Sequence, residues 1–433
     1  MSKKIQSVLT VIVLLSVCLV LFTSCQATKL DFFSNIEDSL GVVGKLVRWM
    51  HSWIGNYGWT VVVFTVFLKV LMLPLDFWQR YASRKMSLNM QKMQPLLAEI
   101  DKRYGANSQR AQEEKSKLYQ KQGTGLGATC LPMIVSMAIF FVMFGGLREY
   151  SNYSSVMMMK ELSHTYFDTC ITEFSNDSNY SADIADYNAK LEAALKDVDN
   201  DVEGNIALRI KMECVTAMVR KADDDASFKA TAEAATAAAR KAVQDKYTAD
   251  KESWLWIQNV WQPDTWEPIM ASYDTGMNSF TTVVNKDTFT GGKTLYNTIR
   301  DAVLEVGGYG NNGSWNGLLI LPILSIVLSF LSMFISQKLE AKHRPDQPEQ
   351  AQPQTEEQKQ QQASNKMMMI IMPLMMAYFG FLYTGAFAIY MVANYAISIL
   401  STIALRAPVE KAVLKKLQEQ EEKDNSGKAS YMR

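Results

Sequence analysis

The distribution of ionised side chains constrains this chain more than any other feature. Residues 5–24, 128–147, 317–336 and 367–405 contain no Asp, Glu, Lys or Arg, and residues 59–75 contain only Lys69. The chain as a whole is 20% charged, with 44 Lys+Arg against 44 Asp+Glu, so charge has been sorted along it rather than omitted. A membrane-spanning helix needs about 20 consecutive apolar residues, and runs of this kind define an integral membrane protein. The run 367–405 would be about 58 Å long as one helix at 1.5 Å per residue. That exceeds one crossing, so two spans are expected, turning at Thr384-Gly385, where glycine tolerates the backbone angles of a tight reversal.

The first apolar run has a different character. Lys3 and Lys4 precede it, and it stops at Phe22-Thr23-Ser24-Cys25, small residues before a cysteine as in a bacterial lipoprotein signal, with Phe22 where Leu is usual. This predicts a signal peptide over 1–24 and lipidation of Cys25; an uncleaved signal anchor is the alternative. Cys170 and Cys214 share one aqueous segment and could pair if it lies outside the cell. Three scattered histidines, His51, His164 and His343, offer no metal site.

Orientation follows from charge. Segment 77–127 carries ten Lys/Arg against four acids, so the positive-inside rule makes it cytosolic. Spans at 58–76, 128–148, 317–337, 367–383 and 384–405 then leave 149–316 outside, the linker 338–366 inside, and the tail 406–433 inside, with seven Lys/Arg and five acids. The outer segment has 15 Lys/Arg against 26 Asp/Glu, which long translocated loops permit. The expected topology is five transmembrane helices, mature N-terminus outside and C-terminus cytosolic, in a bacterial plasma membrane.

Periodicity fills in the rest. Within 25–57, Ile36, Leu40, Val43, Val47, Met50 and Ile54 recur in alternating steps of four and three, predicting an amphipathic helix over 31–56 that lies on the outer leaflet, anchored by Trp49 and Trp53. Met86, Met90, Met93, Leu97, Ile100 and Tyr104 form a second stripe, broken at Gly105-Ala106-Asn107 before 108–122 resumes; this predicts a cytosolic helical hairpin over 77–127. Its Met stripe either packs the two helices together or meets another protein. Residues 184–250 read as a helical subdomain, with the Ala-rich stretch 229–241 as a solvated helix. The Gln-, Glu- and Pro-rich segment 344–364 reads as a disordered linker.

Enzyme signatures are missing: no catalytic residue set, no metal-binding motif, no phosphate-cradling glycine loop, and no cofactor is implied. Intramembrane carboxylates, which ion-coupled transporters generally use, are missing as well. What remains is Lys69, the single ionised side chain in the interior of the five spans, Asp76 and Arg148 being the last residues of theirs, at a cost of about 2.5 to 3.5 kcal/mol near a helix centre. Either its stem snorkels to the headgroups, or a wet recess hydrates it. Thr65 adds a polar atom one turn earlier on the same face. Opposing spans offer Ser136, Ser325, Ser329, Ser332, Asn394 and Ser398, although such hydroxyls often bond their own backbone.

These residues carry a family resemblance. Gly55-Asn56-Tyr57-Gly58-Trp59-Thr60, Thr65, a basic residue at Lys69 and Met72-Leu73-Pro74-Leu75 resemble the first core span of the YidC family of membrane protein insertases. Met93-Gln94-Pro95, Leu126-Gly127, Cys130-Leu131-Pro132-Met133, Trp256-Ile257-Gln258-Asn259 with Pro263-Asp264, Leu321-Pro322-Ile323, Met372-Pro373, and Gly385 with Tyr390 and Asn394 extend the resemblance through all five spans in order. Residues 151–253 and 269–314 stand outside it as enlarged outer loops. The resemblance implies an all-α integral membrane protein whose five helices surround a hydrophilic groove, open to cytosol and lipid, that receives nascent membrane proteins and releases them sideways into the bilayer. Its implied partners are those clients, the lipid bilayer, and the ribosome and Sec translocon; no sequence-specific nucleic-acid binding is implied. Lys69, Thr65, Tyr390, Asn394 and Ser136 are the expected groove residues. The family's groove usually carries Arg, and Lys69 keeps the charge without the bidentate fork. The lipoprotein-type signal and short N-terminal segment resemble the Gram-positive branch. A solute or lipid transporter, or a membrane-embedded enzyme, are the competing readings.

Overall fold

The computed structural model describes residues 31–36, 40–105, 108–121, 126–196, 204–274, 284–285, 289, 291–306, 315–341, 371, 374, 378 and 380–431, with side chains described except at 86–87, 90–92, 94, 119–121, 126–138, 340–341 and 420–431. The expected signal peptide with Cys25, most of the span 367–383 and the linker beyond 341 lie outside the described residues. Among the described residues the chain forms ten α-helices: α1 (Val42–Ile54), α2 (Tyr57–Tyr104), α3 (Gln109–Lys121), α4 (Leu126–Ser175), α5 (Ser181–Leu195), α6 (Asn205–Asp224), α7 (Lys229–Asp250), α8 (Gly292–Val306), α9 (Ile320–Ala341) and α10 (Gly385–Tyr431). The protein is an all-α, multi-pass helical bundle. Among the described residues three helices contain stretches long and apolar enough to cross a membrane: Tyr57–Lys85, Ile320–Leu339 and Gly385–Glu419.

Local chemistry sets the helix ends. α1 stops where Gly55 adopts a left-handed φ of 74° and returns its N–H to the His51 carbonyl, a conformation glycine enters without a Cβ clash. α2 starts one residue later because the Asn56 side chain accepts the Trp59 N–H at 3.2 Å, an N-cap. It then runs for 48 residues with Pro74 and Pro95 inside it, ending at Gly105 with φ 79°. α3 packs back on the end of α2: Met93, Leu97 and Ala111 are buried, and Lys115 pairs with Asp101 at 2.7 Å.

The bundle pairs fix helix directions. Lys69, Arg80 and Arg84 on α2 meet Ser398, Ser401 and Glu410 on α10 in that order, so the two helices run parallel. At one end Leu321 of α9 shares a core with Ala386 and Phe387 of α10; at the other, Ser336 and Leu339 face Thr402 and Leu405 across a cavity. All three apolar helices therefore point the same way. α4 runs against them, with Phe140 beside Tyr390 and Phe144 beside Tyr383.

α4 does not stop at the end of its apolar run. It continues to Ser175 as one 50-residue helix, and its second half forms the spine of a helical subdomain with α5 to α8. Two sequence expectations change here. The Ala-rich helix α7 is not solvated all round: Ala232, Ala235, Ala239 and Val243 are buried, recurring every three or four residues so that one face of small side chains lies close against α4. The predicted amphipathic helix is also shorter. Among the described residues of that stretch the helix is Val42–Ile54, Gly41 precedes it, and Phe32 and Ile36 instead enter the subdomain core. Trp49 and Trp53 do point outward, 59% and 78% exposed. Cys170 and Cys214 are both buried free thiols, so the conditional disulfide is not formed.

The loop between α7 and α9 joins subdomain to bundle through buried polar bonds. Asp264, fully buried, accepts the Leu318 and Leu321 N–H groups at 2.8 Å each and caps α9. Asn316 and Asn259 exchange bonds across the same loop. Gly317 is required: a Cβ there would stand 1.9 Å from the Asp264 carboxylate. The Gly385 N–H donates to the Gln262 carbonyl at 2.8 Å, seating the expected Thr384-Gly385 turn beneath the loop. On the other side His51 of α1 bonds the Tyr150 hydroxyl at 2.6 Å through Nδ1 and Glu252 at 2.9 Å through Nε2.

Candidate functional site between α2, α9 and α10

The expected groove residues that are described stand in different surroundings. Lys69 reaches across the bundle, its Nζ donating to Ser398 Oγ at 3.0 Å, so its ammonium is directed at α10 rather than only along its own helix. Thr65 is buried and donates to the Val61 carbonyl at 2.7 Å, bonding its own backbone as hydroxyls in apolar helices commonly do. Ser325 does the same with the Pro322 carbonyl. Tyr390 is buried in an aromatic cluster with Phe140 and Phe387. Asn394, one turn before Ser398, is half-buried. Ser136 lies on α4, and its side chain is outside the described residues.

A second polar layer follows toward the end of the bundle distant from the subdomain. Arg80 donates to Ser401 Oγ at 3.2 Å, and Arg84 meets Glu410 at 3.4 Å. With Asp76 and Arg406 they line a cavity of about 320 Å³ between α2, α9 and α10. Sequence reasoning counted these charges for orientation and missed them as a site. The signal was present: at about 100° per residue, Thr65, Lys69, Asp76, Arg80 and Ser83 fall within one narrow stripe of α2. The bundle is therefore apolar on its exposed faces, where Val66, Phe67, Val70, Val327, Phe334, Leu400 and Ile403 stand out, and polar along the α2–α10 seam. Among the described residues no group of three or more His, Cys, Asp or Glu is placed to hold a metal.

A polar seam inside a bundle with an apolar exterior, joined to a helical subdomain with its own apolar core, defines the class as a multi-pass helical membrane protein. The model of the 60Kd inner membrane protein family matches residues 49–239 and 226–412, and the chain belongs to that family. Among its relatives, the membrane protein insertase YidC of Caldanaerobacter subterraneus subsp. tengcongensis is 35% identical over 117 residues, covering 27% of this chain and 55% of that protein. The protein of the same name from Endomicrobium trichonymphae is 34% identical over 130 residues, 28% of this chain and 24% of the relative. That of Dechloromonas aromatica is 33% identical over 131 residues, 29% and 23%. The chain thus spans 55% of the first relative and about a quarter of the other two. No solved structure matches the chain.

Proposed function

We propose that this protein is a membrane protein insertase and chaperone: it receives nascent membrane proteins in a polar recess along α2 and α10 and releases them sideways into lipid. The observation that carries the reading is Lys69, whose ammonium faces Ser398 within the bundle. A client's hydrophilic segment cannot cross bare hydrocarbon, where each unsatisfied backbone group costs several kcal/mol. A polar seam shortens the apolar distance, and Lys69 attracts acidic residues into it. The client's apolar helix then partitions into lipid. The work is non-enzymatic, driven by partitioning and by the membrane potential, about 2.3 kcal/mol per charge per 100 mV.

The topology belongs to the same proposal. Parallel α2, α9 and α10 need a return crossing between each pair; α4 runs antiparallel between the first two, and 367–383 supplies the other. Five spans with the subdomain outside follow, the α2–α3 hairpin and the tail lying in the cytosol, where ribosome and Sec translocon are candidate partners. α1, with Trp49 and Trp53 exposed, rests on the outer leaflet. Cys25 is the proposed lipid anchor of a lipoprotein-type branch. An impermeant thiol reagent should reach cysteines introduced near Asn200 from outside and near Gln354 only after permeabilisation, and Cys25→Ala should abolish fatty-acid labelling.

The decisive test uses matched clients that differ only in tail charge, with variant levels in the membrane equalised. Lys69→Arg should retain insertion, and Lys69→Glu should slow acidic-tailed clients by about tenfold, the equivalent of 1.4 kcal/mol in a barrier. Neutral-tailed clients should suffer less. Equal insertion of every client by wild type and Lys69→Glu would refute the groove mechanism.

A further inference from the structure

We infer that the cavity between α2, α9 and α10 is a binding site for the phosphodiester headgroup of a membrane phospholipid, held by Arg80, Arg84 and Arg406. The first support is depth. Asp76 comes directly after the apolar run 59–75, Ser336 closes the charge-free run 317–336, and Arg406 directly follows the run ending at Leu405. All three walls of the cavity are built where hydrocarbon-compatible sequence gives way to charge, which is the headgroup layer.

The second support is charge. Among the described residues lining the space, three guanidinium groups stand against the carboxylates of Asp76 and Glu410, one positive charge in excess, matching the single negative charge of a phosphodiester. Basic pockets between membrane helices are suited to lipid headgroups, and the planar guanidinium is the side chain best matched to phosphate oxygens.

The third is unused donor capacity. A guanidinium has five N–H donors and no acceptor. Arg80 meets one hydroxyl at 3.2 Å and Arg84 one carboxylate oxygen at 3.4 Å, the latter long for a charge-assisted bond. Further acceptors are called for on the cavity side. At about 30 Å³ per water in the liquid, a space of about 320 Å³ admits a phosphate with its attached glycerol. Leu331, Phe334, Leu400 and Ile403, toward the bilayer interior on α9 and α10, are exposed and apolar, a surface for acyl chains to cover. The site requires only that these helices cross a bilayer and is independent of the insertase reading.

The test is lipid retention by the full-length protein in detergent, followed by native mass spectrometry. Phosphatidylglycerol should remain bound while diacylglycerol, the same anchor without phosphate, does not. Arg80→Gln with Arg84→Gln should weaken retention by about tenfold or more, the loss expected for charge-assisted bonds. Glu410→Gln, which keeps the arginines and removes a competing carboxylate, should strengthen it, so a gain is read as well as a loss. Equal retention of diacylglycerol, or of phosphatidylglycerol by the double variant, overturns the proposal. Displacement of the lipid by equimolar sn-glycerol 3-phosphate would reassign the site to a free phosphate, and displacement by an acidic peptide would reassign it to a protein; either result rejects the lipid as occupant.

Discussion

The subdomain and the bundle solve opposite problems with the same element. In the subdomain, the apolar residues of α4 to α8 converge on one core that includes Leu208, Val215, Met218, Val243, Ile299 and Val303, and charged side chains face outward apart from Lys160, which is buried and donates to Asn205 Oδ1 at 2.6 Å. Asp168–Lys211 and Asp183–Lys221 form ion pairs on that surface. In the bundle the exposed faces are apolar, and Lys69, Arg80 and Arg84 turn inward toward α10. Water surrounds the first arrangement, so apolar burial drives it. The second can persist only in lipid, where burying apolar surface between helices gains little and polar contacts with close packing hold helices together.

The contrast can be broken by substitution. The largest effect is expected in the subdomain: Leu208→Ala empties a fully buried position and should cost about 3 kcal/mol, within the range for such truncations. Hydrogen exchange of the full-length protein should show the loss in α6 and α7 and leave α2 and α10 unchanged. Equal loss in both regions would mean that they unfold as one unit. Asp264→Ala, at the joint, should cost about 2 kcal/mol by stranding the Leu318 and Leu321 N–H groups; protection should fall at the start of α9 first. The smallest effect is chemical. Burial pushes the Cys170 thiol up to about 12, so at pH 8 it stays protonated and inert. Alkylation in the native state should spare Cys170 and proceed after denaturation, without any change in function. Because the folded thiol resists ionising, stability contributed there is intact below the ordinary thiol range and falls as pH rises above about 9 toward 12.

Much of the bundle was legible in advance because charge reports where hydrocarbon begins and ends. The apolar parts of α2, α9 and α10, the break at Gly105 and the outward tryptophans of α1 all followed from residue type and spacing. Charge does not report whether one helix runs on into the next, so the fusion of the first span with the 86–104 stripe into one helix, and the continuation of α4 to Ser175, were hidden. Gly145 and Gly146 stand just before the apolar run of α4 gives way to Glu149, a pair that reads as a break in sequence; the helix carries on through them, with Gly146 packed against Val43 of α1. Ala232, Ala235 and Ala239 misled for another reason: alanine looks neutral in a composition, yet a row of it is what lets two helix axes come close. Of the site, the Lys69 charge was plain, whereas its partner Ser398 and the cavity charges depend on how α2 and α10 lie side by side.

The uninterrupted α4 also has a mechanical meaning. At 1.5 Å per residue its final 25 residues or so make an arm of about 37 Å, anchored at one end beside Tyr390 and Tyr57 and at the other inside the subdomain core. Without a hinge, such an arm magnifies angle into displacement: a tilt of about 5° at its base carries its tip through about 3 Å. The attitude of the subdomain is thus a readout of how the bundle leans.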